Sequence, residues 1–128
     1  MSLEQDRPSI EELESRARVL RRHIIEMTTA ARSGHPTSSL SATEVVTAIY
    51  FGGFLNYRAD EPDWAERDRF IMSKGHAVPV LYAAMAEAGY FPTEDLATLR
   101  KLGSPLEGHP NGRRLPGIEA STGSLGQG

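Results

Sequence analysis

Three of the four histidines in this chain share one local pattern. His35 stands in Ser33-Gly34-His35-Pro36, His76 in Ser73-Lys74-Gly75-His76, and His109 in Glu107-Gly108-His109-Pro110. Each follows a glycine and falls at an element boundary or in a loop, where functional side chains concentrate on rigid scaffolds. The glycine lets the backbone turn sharply or lets a ligand approach the main chain. An imidazole exchanges a proton near neutral pH, or donates a hydrogen bond to a developing oxyanion. Taken singly, each of the three reads as structural; taken together, they point to a shared site. Zinc is the other reading of such a set. The spacings of 41 and 33 residues match no short zinc signature, and no carboxylate stands at ligand spacing. The fourth histidine, His23, lies beside Arg21 and Arg22, off the apolar stripe of its helix, and reads as a partly exposed structural residue.

A second feature is Gly123-Ser124-Leu125-Gly126-Gln127-Gly128. Such a loop can present backbone amides and carbonyls to a flat or anionic ligand. It lacks the Gly-Lys-Ser/Thr of a P-loop and the spacing of a dinucleotide fingerprint. On its own it reads equally well as a glycine-rich tail.

These residues need elements to position them. Ser9-Ile10-Glu11-Glu12 is a capping box. It opens a helix whose apolar stripe runs Ile10, Leu13, Ala17, Leu20, Ile24, Met27 and Ala31. Glu12 with Arg16 and Glu14 with Arg18 are placed for i,i+4 pairing. Gly34 and Pro36 end this helix, leaving His35 just past it. A second capping pattern, Ser41 to Glu44, predicts a helix from Ser41 to Phe51. Residues 56–68 read as a charged surface loop. Phe70 to Ser73 is the one strand candidate, and the turn after it aims His76 out of a strand end, where α/β folds hold ligands. A third helix is predicted over Val78–Ala88, stopped by Gly89, and a fourth from Thr93 to Gly103. From Ser104 onward the chain is irregular, either flexible or packed only when something completes it. One strand makes no sheet, so the pattern predicts the start of an α/β layer within something larger.

Bulk properties narrow the class. The 128 residues are 39% hydrophobic and 24% charged, which suits one soluble domain. With a net charge of −3, nothing argues for nucleic acid or an anionic membrane as the partner. The chain has no cysteine, which removes disulfides, thiolate metal sites and a cysteine nucleophile. No segment approaches the roughly 20 apolar residues of a membrane span, and the polar N-terminus lacks an apolar signal core. A cytoplasmic location is expected.

The order SGHP, DRFIMSKGHAVPVLYA, LEGHPN and STGSLGQG resembles the N-terminal part of transketolases, most of all the bacterial and archaeal type split into two chains. The resemblance runs from about Glu12 to Gly128. It implies an α/β thiamine diphosphate-binding fold, here incomplete, with helices packed on the start of a parallel sheet and residues 1–128 forming one truncated domain. It also implies transfer of a two-carbon ketol unit from a ketose phosphate to an aldose phosphate. His35 and His109 would contact the substrate, His76 the cofactor and the donor hydroxyl, and Gly123, Ser124 and Leu125 the cofactor rings. The expected partners are sugar phosphates and a C-terminal subunit or pyrimidine-binding domain, in a dimer or heterotetramer. Two departures are Thr37, where the family commonly has glycine, and Ser124, where many full-length members have proline.

The family's magnesium and diphosphate ligands, a Gly-Asp-Gly motif and a later asparagine, would lie beyond residue 128. The chain alone is therefore expected to be inactive, with no metal ligands of its own and with apolar surface exposed. Two enzyme alternatives are dihydroxyacetone synthase and deoxyxylulose phosphate synthase, the latter disfavoured by GHPNG. A third alternative is a non-catalytic helical module that binds a partner chain.

Overall fold

The computed structural model describes residues 7–123. Helix α1, Ile10–Ala31, starts where its capping box predicts. The Glu12 amide donates to the Ser9 hydroxyl at 3.1 Å, and the Ser9 amide donates to the Glu12 carboxylate at 3.2 Å. The middle of the predicted stripe is buried (Ala17, Leu20, Ile24, Met27), whereas Ile10 at its open end is 67% exposed. The two anticipated i,i+4 pairs are replaced by other contacts. Glu12 is engaged in the cap, Arg16 lies 3.5 Å from Glu87, and Arg18 donates to Ser15. Arg22 and Glu26 form the i,i+4 pair instead, at 3.0 Å.

Helix α2, Pro36–Phe51, begins five residues before the predicted Ser41. Proline suits the first helical position because its missing N–H is one the helix never uses and its φ is already helical. That start outcompetes the Ser41–Glu44 box, and Glu44 instead pairs with Arg21 of α1. Helix α3, Val78–Ala88, keeps its predicted bounds and stops at Gly89. Its residues Val78 to Ala86 are all buried, as expected of a helix apolar all round. It is the central element, packed between α1, α2 and the loops. His23 of α1 meets Glu87 of α3 at 2.9 Å, which gives it the structural role expected from the sequence.

Two predicted elements take other forms. No β-strand occurs among the described residues. Phe70 nevertheless packs on Tyr50 with ring centroids 5.6 Å apart, Ile71 is 53% exposed, and Met72 is buried. That is the in-out alternation of a strand without a neighbour to pair with. The predicted helix from Thr93 to Gly103 is a 3-10 segment, Thr93–Thr98. The chain reverses just after it, through a left-handed Arg100 (φ +62°) whose amide donates to the Leu106 carbonyl at 2.8 Å. This turn buries Leu96 and Leu99 and leaves Leu102 fully exposed.

The described residues after Ser104 are irregular, yet they pack without any further chain. Leu106, Leu115 and Ile118 join the core. The Tyr82 hydroxyl donates to the Glu107 carbonyl at 2.7 Å, and Arg67 grips Glu119 through two bonds of 2.8 and 2.9 Å. Apolar side chains are exposed at Val19 and Ile25 of α1, where exposure was expected, and also at Val45 and Phe54. No helix among the described residues is long and apolar enough to cross a membrane.

The core tyrosines give the fold an alkaline limit. Burial raises the Tyr50 and Tyr82 hydroxyls well above their usual range, and pushes Tyr90 up to about 12. Below about pH 10 these phenols are neutral in both folded and unfolded chains. Above it the unfolded chain ionises first, so stability is lost as pH rises from there through the folded-state values. We expect the urea midpoint to fall steadily from pH 10 upward, with tyrosinate absorbance appearing together with unfolding. A midpoint constant to pH 12 would contradict this burial.

Candidate active site

His35 is the N-cap of α2, and its side chain makes no capping hydrogen bond, so the imidazole is left for other partners. His76 sits in the 3-10 turn Gly75–Ala77 that leads into α3. The two turns are tied together from inside. Ser39, fully buried one turn into α2, donates its hydroxyl to the Ala77 carbonyl at 3.1 Å. The His35 and His76 rings consequently meet edge to face, with centroids 5.5 Å apart. Residues 41 positions apart in sequence thus become neighbours.

His109 arrives from the irregular segment after Ser104, the return loop, through two glycine contacts. Gly123 has φ +121°, a conformation glycine adopts freely. A Cβ there would lie 2.3 Å from His109 Cδ2, so Gly123 rests directly on that imidazole. On the other side, a Cβ on Gly75 would lie 2.6 Å from the Gly123 Cα. The main chain before His76, the Gly123 backbone and the His109 ring are therefore in one contiguous stack. All three predicted histidines converge, His35 and His109 exposed and His76 half-buried. His23 is the only histidine with a side-chain hydrogen bond to another described residue.

Of the predicted cofactor-side glycine loop, Gly123 is placed here, while Ser124 and Leu125 lie outside the described residues. Sequence reasoning missed Ser39 and Thr122. Ser39 is four residues after His35, a spacing that carries meaning only once the helix is known to start at Pro36. Thr122 adjoins the glycine loop, but its hydroxyl finds Met72 fifty residues away, which no local pattern signals.

The donor set suits an uncharged or anionic polar ligand better than a bound cation. Imidazoles that have no internal partner can donate to hydroxyl and carbonyl oxygens or accept from them. Among the described residues, no group of three or more histidine, aspartate or glutamate side chains is placed to hold a metal ion.

Known proteins resemble this chain over nearly its whole described length. The family described as "Transketolase, thiamine diphosphate binding domain" matches residues 12–128. Transketolase-like protein 2 of Bos taurus is 47% identical over 123 residues, covering 96% of this chain and 19% of that protein. The 6-deoxy-6-sulfo-D-fructose transketolase subunit SqwG of Clostridium sp. (strain MSTE9) is 45% identical over 117 residues, covering 91% of this chain and 42% of that subunit. Among solved structures, transketolase from Leishmania mexicana superposes with a TM-score of 0.84 at 36% identity, over 91% of this chain and 17% of that one. The chain thus spans about a fifth of the length of the full-length relatives it matches, and its helices form the opening part of that larger α/β fold.

Proposed function

Because this chain belongs to the transketolase thiamine diphosphate-binding family, we propose that it supplies the histidine face of a ketol-transfer site. The observation that carries this reading is the convergence of His35, His76 and His109, none with a side-chain hydrogen bond among the described residues, around the Gly75–Gly123 contact. When bound, thiamine diphosphate would supply the electron sink that lets a carbon–carbon bond next to a carbonyl break and re-form. The protein's share is orientation and proton handling. His35 and His76, with rings in contact, are spaced to serve neighbouring oxygens of one small polyhydroxylated ligand. His109, braced by Gly123, would hold the donor's terminal hydroxyl. Gly123 itself, together with Ser124 and Leu125, would line the cofactor rings.

The substrates on this reading are a ketose phosphate donor and an aldose phosphate acceptor, in cytoplasmic carbohydrate metabolism of the pentose phosphate type. Magnesium would neutralise the diphosphate, held by hard oxygen ligands that the described residues do not group together. The remaining walls would come from a pyrimidine-binding domain or a C-terminal subunit, in a dimer or heterotetramer. The similarity to a protein named as a transketolase subunit supports a separate partner chain.

The test is ketol transfer by the complete protein, assayed with thiamine diphosphate and magnesium. Replacing His76 or His109 by alanine should lower kcat roughly 10²–10⁴-fold, the range for a lost proton-transfer group. His23→Ala should leave kcat near wild type. Transfer that is indifferent to thiamine diphosphate, or to both site histidines, would overturn the proposal.

A further inference from the structure

One residue touches both segments that carry His76 and His109. The Thr122 hydroxyl donates to the Met72 carbonyl at 2.5 Å, four residues before His76. The Thr122 amide donates to the Pro110 carbonyl at 3.4 Å, one residue after His109. Its own carbonyl carbon backs Gly75, where an added Cβ would approach within 2.8 Å. Thr122 also fixes the start of Gly123, whose Cα lies against the His109 ring. Nothing else among the described residues bonds to both histidine segments.

We propose that Thr122 is a positioning residue that holds the His76 turn and the His109 ring in register across Gly123. The hydroxyl is the specific part. A methyl group in its place fills the same space but leaves the Met72 carbonyl without this donor, and the return loop is freed from the residues that lead into His76. Only a β-hydroxyl both reaches that carbonyl and leaves the amide for Pro110. The inference rests on the ketol-transfer reading for its consequence, but its geometry does not.

The experiment compares Thr122→Val, nearly isosteric without the hydroxyl, with Thr122→Ser, which restores it, by NMR on the full chain. One α-hydrogen of Gly123 faces the His109 ring, so it should show a ring-current shift and an NOE to the imidazole Hδ2. T122V should lose both, while His23 signals stay in place, and T122S should keep both. Should T122V fail to fold, Thr122→Ala makes the same comparison without an added methyl. A folded hydroxyl-free variant that keeps the NOE, or a T122S that loses it, overturns the assignment. Titration of the complete protein with thiamine diphosphate and magnesium should then show about fivefold weaker binding in T122V, the equivalent of one neutral hydrogen bond. If wild type itself does not bind, the ketol-transfer reading falls, while the NMR comparison still decides the role of Thr122.

Discussion

Gly75→Ala should abolish the site while leaving most of the fold intact. The added methyl would lie 2.6 Å from the Gly123 Cα, 2.7 Å from its nitrogen and 2.8 Å from the Thr122 carbonyl carbon. All three are backbone atoms, so no rotamer change relieves the clash and the return loop must move away from the His76 turn. Overpacking of this kind costs about 1–3 kcal/mol. That displacement would take Gly123 off the His109 ring and separate His109 from His76. The expected result is a fall in thiamine diphosphate affinity of the complete protein of at least roughly tenfold, since about 1.4 kcal/mol is one decade. Gly103→Ala is the control. It has a positive φ (+86°), which Gly75 lacks, and nothing lies within 4 Å of the new Cβ. It should cost only the left-handed strain of roughly 1–2 kcal/mol and leave binding unchanged. Equal effects of the two substitutions on affinity would show that the Gly75–Gly123 contact does not build the site.

Leu20→Ala should be the most destabilising truncation on α1, and Ile10→Ala nearly silent, although both lie on one apolar stripe. Leu20 is fully buried within the cluster formed with Ile24, Met27 and the centre of α3. Truncating a buried leucine loses its transfer free energy and leaves a cavity, about 3–5 kcal/mol in total. Against a domain stability of about 5–15 kcal/mol, that is a large fraction. Ile10 is 67% exposed, and removing an exposed side chain changes stability by about 0.5 kcal/mol or less. Urea denaturation of the two variants separates these values easily. A similar loss for both would mean that the N-terminal turn of α1 is as buried as its middle, contrary to the packing described.

The relation between sequence and structure divides along physical lines. Where the information is local, the sequence was sufficient. The Ser9–Glu12 box starts α1 because hydroxyl and carboxylate satisfy amides three residues away. Val78–Ala88 is helical with a glycine stop because nothing nearby competes. The glycine-histidine pattern singled out His35, His76 and His109, and all three lie together in the structure.

Local signals failed where two of them competed or where a distant partner decided. Ser41 is the predicted start of α2, but Pro36, read from the sequence only as the end of the preceding helix, opens it. Leucines at helical spacing predicted a helix to Gly103, but the Arg100 amide found the Leu106 carbonyl and the chain turned back. Phe70 to Met72 kept the alternation of a strand, yet a strand is defined by the neighbour it pairs with, and none lies among the described residues.

The sequence by itself determined the main helices, the apolar stripe and the identity of the histidines, since each depends on spacings of a few residues. Only the tertiary structure decided that His35 and His76 touch, that Gly123 lies on His109, and that Ser39 and Thr122 brace them. Those contacts join residues from 14 to 50 positions apart. Such distances along the chain are closed by the packing of α3 and the return loop, and no local pattern encodes them.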